Sequence, residues 1–252
     1  MLLKLQKNII YGPVQSRRLG PSLGINILPP SIKYCNFNCR YCQYGWTDFL
    51  WLNNKKQTSF PEVEVILAAV ERALKTLDLK PTYITFSGNG EPTLHPCFNS
   101  IVNGVIHLRN TLSPASKTAI LSNSTTVLNP DIQKALSKLD IRIMKLDIGN
   151  ERMFLKYNHP TKGIRLHPII KGLAHLKKTT IQSLFCKGKN GNYSKENLTD
   201  WIKKIKFISP FAVQIYTLDR NPPSNLISSL NREELLNIQS LLKKEKIPSQ
   251  YF

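Results

Sequence analysis

Three cysteines fall within eight positions of one another in "CNFNCRYCQYG" (35–45): Cys35, Cys39 and Cys42, with Tyr41 directly ahead of the last thiol. The whole chain holds five cysteines, so the cluster does not arise from composition. Thiolates are soft ligands suited to zinc or to iron–sulfur clusters. A structural zinc site takes four ligands, usually as two pairs of Cys or His. Here no second C-x-x-C exists, and His95, Cys97 and Cys186 stand alone. A non-enzymatic zinc module completed by His95 or Cys97 is one reading. The other is an iron–sulfur cluster. A four-iron cubane normally takes four thiolates, so three leave one iron with an open position, and an open position on a metal marks a reactive site.

Further polar groups follow at the ends of apolar runs. "TFSGNGEPTLHP" (85–96) places Gly88, Asn89, Gly90 and Glu91 where a strand should stop. Residues without bulk let backbone approach a ligand closely. Ser122 and Asn123 close the next run, Lys145 and Asp147 the one after, and Tyr216, Asp219 and Arg220 a later one. Short polar groups at strand ends lie where a parallel α/β domain holds its ligand, though Asn and Ser commonly serve there as strand termini or helix caps. His95, in "LHP", reads as a residue that shapes a turn, and the lone thiols Cys97 and Cys186 as small hydrophobes.

The elements that must position these groups show in the patterning. "GINILP" (24–29), "PTYITFSG" (81–88), "KTAILSNS" (117–124), "IRIMKLDI" (141–148), "TTIQSLFC" (179–186) and "FAVQIYTL" (211–218) are short, β-branched and apolar on both faces, as buried parallel strands are. Helical stretches alternate with them. Ser59 with Glu62 forms a capping-box pattern, Asn129-Pro130 a cap and first-turn proline, and Asn231 with Glu234 a second box. Six strand–helix units argue one parallel α/β domain whose site lies at the carboxyl ends of the strands. Periodicity leaves open whether the sheet is an incomplete barrel or doubly wound.

The chain has 252 residues and a net charge of +19. Such an excess fits a nucleic-acid partner or lysines on solvated helix faces. Residues 160–206 carry eleven Lys or Arg against Glu196 and Asp200. No stretch resembles a signal peptide or a membrane span, so a cytoplasmic protein with no membrane partner is expected. In that reducing setting clustered cysteines point to metal rather than disulfides.

C-x3-C-x2-C with an aromatic before the last Cys, just after a first strand, resembles the signature loop of the radical S-adenosylmethionine (SAM) superfamily. Gly88-Asn89-Gly90-Glu91 resembles that superfamily's glycine–glycine–glutamate motif. The wording "YGPVQSRRLGPSLGINILP", "NGEPTLHP", "LSNST" and "VQIYTLDR" is similar to the short Fe–S oxidoreductase group related to the wyosine-tRNA synthases. The resemblance covers nearly the whole chain. It implies an incomplete parallel (β/α)6 barrel, TIM-like, in a single domain over 1–252, with the cluster loop at 35–42 and the partial barrel at 24–246. It also implies a radical SAM enzyme whose 4Fe-4S cluster is held by Cys35, Cys39 and Cys42, with SAM on the fourth iron. Tyr41 would border the adenine, and Gly88, Asn89, Gly90, Glu91, Ser122, Asn123, Lys145 and Asp147 would line the SAM pocket. Reductive cleavage of SAM, fed by an external flavodoxin- or ferredoxin-like electron donor, would give a 5′-deoxyadenosyl radical that takes hydrogen from an unidentified substrate. An RNA base, as in the wyosine relatives, is the alternative suggested by the basic surface. Those relatives carry a second three-cysteine cluster, which Cys97 and Cys186 cannot supply.

Overall fold

In the computed structural model, which describes residues 2–47 and 59–252, the apolar runs pair side by side in chain order. β1 (Ile10–Ser16), β2 (Gly20–Ile25), β3 (Tyr83–Phe86), β4 (Lys117–Ser122), β5 (Ile141–Lys145), β6 (Thr179–Leu184), β7 (Ala212–Tyr216) and β8 (Ser249–Tyr251) form one sheet. β1 and β2 are antiparallel, and every later neighbour is parallel. A doubly wound sheet would reverse its strand order at a switch point. This order never reverses, and β8 ends the sheet without meeting β1. The architecture is therefore an open arc of a TIM-like barrel.

Helices α1 (Val63–Thr76), α2 (Phe98–Leu112), α3 (Pro130–Ser137), α4 (Glu151–Tyr157), α5 (Leu166–His175), α6 (Lys195–Ile208) and α7 (Arg232–Lys244) fill the connections. α1 buries Ile66, Val70 and Leu74, spaced four apart on one face, against the same core that takes Leu23, Ile25, Ile84 and Phe86. Each such side chain stabilises the fold by roughly 1.5–3 kcal/mol, so burial outweighs local propensity in placing the helices. Local signals still set several helix starts. The Asn129 side chain accepts from the N–H groups of Asp131 and Ile132 with Pro130 in the first turn, and Asn231 with Glu234 forms a reciprocal box.

Three sequence expectations need correction. The first parallel strand is Gly20–Ile25 and not 24–29, because Asn26 turns away to hydrogen-bond the Leu28 and Gln6 carbonyls. The sheet gains β1 and β8, so it runs beyond 24–246 at both ends. Gly12-Pro13 punctuates the first, and the second has three residues, too few to show alternation. Finally, α1 begins at Val63 with Glu62 as its cap residue and no side-chain cap bond, so Ser59 and Glu62 form no box there.

Candidate active site

β2 to β5 and β7 deliver their carboxyl ends to one cleft of about 300 Å³. Cys35, Cys39, Tyr41 and Cys42 line it from the loop after β2, Gly88, Gly90 and Glu91 from the loop after β3, and Ser122, Asn123, Lys145 and Tyr216 from later strand ends. Tyr11 of β1, with Lys33, Phe37 and Tyr44, completes the wall.

The cysteine loop is anchored through its backbone. Tyr34 N–H donates to the Asn89 carbonyl at 2.8 Å, and the Tyr34 carbonyl accepts from Glu91 N–H at 3.0 Å. Gly90 is what allows this approach: at φ +143° an added Cβ would lie 1.9 Å from the Tyr34 carbonyl oxygen. Its missing side chain thus makes room for the cysteine loop. Asn89 is fully buried, and its amide is committed to the Gln6 and Pro29 carbonyls, away from the cleft.

Glu91 is a buried hub. One carboxylate oxygen accepts from Thr93 N–H at 3.0 Å, the Thr93 hydroxyl at 2.7 Å and the Ser122 hydroxyl at 3.0 Å, and the other from Asn123 N–H. Burial nonetheless holds its carboxyl above the ordinary value. Asn123 passes the linkage on to the thiols, donating to Asn36 Oδ1 at 2.7 Å and approaching Cys35 Sγ at 3.6 Å.

Asp147 forms the matching hub on the other side. It accepts from Lys145 Nζ at 3.0 Å, Leu184 N–H at 2.8 Å, Asn158 Nδ2 at 3.1 Å and the Tyr41 hydroxyl. With four donors it stands behind the cleft wall and fixes what faces the cleft. Lys145 also donates to the Tyr216 hydroxyl at 2.8 Å and lies 5.0 Å from the Tyr41 ring centroid. Burial lowers the ammonium's proton affinity, but Asp147 and Tyr216 outweigh it and leave its pKa above the ordinary value. Asn158 also approaches Cys39 Sγ at 3.4 Å.

Burial pushes the Cys35 thiol up to about 11, a rise the charge of Lys33 partly opposes, and pushes Cys39 to about 12. A metal group binding here must displace protons. Among the described residues no three His, Cys, Asp or Glu side chains are gathered closely enough to share one ion. Thiolates on a single tetrahedral zinc, each about 2.3 Å from it, must crowd together, whereas a cubane spreads its thiolates over different irons. The three thiols share one wall, and N–H donors lie near two sulfurs. Hydrogen bonds to the sulfurs are one of the features that set iron–sulfur potentials. This donor set fits an iron–sulfur cluster.

Cys97 is exposed, while Cys186 is buried beneath the Tyr157 hydroxyl at 3.4 Å. His95 shapes its turn, accepting from Cys97 N–H at 3.0 Å. Asp219 pairs with Arg17 at 3.2 Å in the exposed rim, and Arg220 is exposed. Lys33, Asn36, Asn158 and Tyr11 were not singled out from sequence. Lys33 had proximity to Cys35 as its signal; Asn158 had none, because only the tertiary fold brings it to Cys39.

A family model described as the Radical SAM superfamily matches residues 30–208, and the chain belongs to that superfamily, whose members pair an iron–sulfur cluster with SAM. A UPF0026 protein of Helicobacter pylori strain J99 is 32% identical over 90% of this chain and 71% of its own length, which places the chain in that family as well. A Brachyspira hyodysenteriae protein named GTPase Obg is 31% identical over 92% of this chain, and the chain spans 33% of that protein. Solved structures that share the fold include the following two. A radical SAM methyltransferase from Sphaerobacter thermophilus has a TM-score of 0.67 at 14% identity, covering 92% of this chain and 65% of that one. TYW1 with a lysine-pyruvate adduct bound has a TM-score of 0.62 at 17% identity, covering 88% and 73%. No helix among the described residues is long and apolar enough to cross a membrane.

Proposed function

We propose that this protein is a cytoplasmic oxidoreductase that binds a 4Fe-4S cluster through Cys35, Cys39 and Cys42 and uses it to cleave SAM reductively. The observation that carries the reading is the meeting of the three thiols with the Gly88–Glu91 loop in one cleft at the carboxyl ends of the parallel strands. When bound, the cluster and SAM would supply a 5′-deoxyadenosyl radical able to take hydrogen from a substrate. The residues position that chemistry. Glu91 fixes the Ser122–Asn123 loop beside Cys35, and Asp147 fixes the Tyr41 ring and Lys145. The cofactor carries the difficult step, and the protein orients it and limits side reactions.

For the substrate we favour a small molecule or a protein residue over an RNA base. Of the eleven basic residues in 160–206, Arg165, Lys187, Lys203 and Lys206 already have carboxylate partners, which thins the surface offered to phosphates. Metal analysis of anaerobically purified protein tests the cluster assignment. About four irons per chain are expected, lost in Cys35→Ala, Cys39→Ala and Cys42→Ala and kept in Cys97→Ala and Cys186→Ala. Stoichiometric zinc after expression with added iron would overturn it. Comparison of RNA nucleosides and metabolites in cells with and without the gene would then identify the substrate.

A further inference from the structure

Lys33 lies two residues before Cys35, in the segment that leaves β2, and is 9% exposed. Its Nζ donates to the Gly45 carbonyl at 2.6 Å, and Gly45 N–H donates to the Cys42 carbonyl at 2.9 Å. The lysine thus spans the cysteine loop from its start to its end, and it lines the cleft together with all three thiols. Among the described residues no carboxylate lies within ion-pair distance of it. A cation removed from water without a counter-charge is costly. The negative charge available to it is that of the thiolates themselves. The nearby carboxylates reach the sulfurs through shared asparagines, Glu91 through Asn123 to Cys35 and Asp147 through Asn158 to Cys39, and Lys145 is already paired with Asp147.

We infer that Lys33 is a positioning residue for the cluster: its fixed positive charge holds the thiolates of Cys35, Cys39 and Cys42 together and raises the one-electron reduction potential of the cluster they hold. The inference rests on the iron–sulfur reading above. Reduction adds one electron from the external donor, with no bond made or broken. A cation in the wall stabilises the added negative charge more strongly than it would in water, so Lys33 lessens what the donor must supply.

The test compares wild type, K33Q and K33R after anaerobic reconstitution, measuring iron per chain and the cluster midpoint potential by spectroelectrochemical titration without SAM. K33R should keep a potential close to that of wild type. K33Q should shift negative by at least tenfold in the reduction equilibrium, about 59 mV for one electron. An iron-replete K33Q with the wild-type potential would overturn the inference. If K33Q folds by circular dichroism but holds no iron, retention of iron by K33R supports the charge, and its loss from K33R as well overturns it. Wild type that takes up no iron would instead sink the iron–sulfur reading itself.

Discussion

Two buried carboxylates, Glu91 and Asp147, each accept four hydrogen bonds and tie separate strand ends to the cysteine loop. An amide in place of either carboxylate would turn one acceptor into a donor facing donors. Glu91→Gln is therefore expected to lower stability by about 1–3 kcal/mol, seen as a smaller urea midpoint at unchanged slope. Because Glu91 holds Asn123 beside Cys35, the variant should also retain less iron, and a loss of SAM binding with full iron retention would argue against this linkage. The thiols differ just as sharply. Cys97 is exposed and the other thiols are buried or half-buried, with burial holding Cys35, Cys39 and Cys186 at about 11 to 12. In metal-free protein at neutral pH, mass spectrometry after brief iodoacetamide treatment should find Cys97 alkylated first. At this scale the sequence was legible where close spacing brings groups together, as in the three cysteines that share one cleft wall. It was not legible where a side chain serves another part of the chain: Asn89 was read toward the ligand, yet its amide braces the Gln6 and Pro29 backbone.

Elements meet at close backbone approaches that sequence patterning does not display. Gly90 reads as a turn glycine, but its role is to admit the Tyr34 carbonyl. Gly90→Ala should cost about 3 kcal/mol, a fall of roughly 6–12 °C in the thermal midpoint, with loss of iron binding. A second junction lies at the entry to β5, where Asp140 accepts from Thr118 N–H at 2.7 Å, the Thr118 hydroxyl at 2.8 Å and Arg109 at 2.9 Å. Burial opposes ionisation, but these donors and the Arg109 charge win and hold the carboxyl below its ordinary value of 3.8. A depressed folded value means the stabilisation is present above pH 3.8 and fades as pH falls through the folded value. Asp140→Asn should thus be less stable at pH 7 by about 1 kcal/mol, allowing for solvent screening, and the gap from wild type should close in acid. Equal stability at pH 7 would show that the junction contributes nothing. Strands β3 to β7 were legible as short apolar runs, whereas the strand now seen as β2 was expected at 24–29; β1 and β8 were not legible, because an edge hairpin broken by Gly-Pro and a three-residue strand lack that pattern.

For the whole molecule, strand order decided what periodicity left open, since an unbroken sequential sheet is an arc of a barrel and places the carboxyl ends of the parallel strands β2 to β8 on one rim. The net charge of +19 concerns partners rather than fold. If half a dozen cations met phosphates, tRNA affinity would fall with salt at a log–log slope of roughly −4 to −5. A substrate other than RNA predicts weak tRNA binding at low salt with no preference over duplex DNA of equal length, and tight, tRNA-selective, salt-steep binding would reverse our choice of substrate class. The account stands most directly on the joint use of the three thiols and SAM. The decisive measurement is chromatographic quantification of 5′-deoxyadenosine after dithionite reduction of cluster-replete protein in the presence of SAM. Slow release from wild type, and none from Cys42→Ala, is the predicted result; no release from iron-replete wild type with any candidate substrate would contradict it.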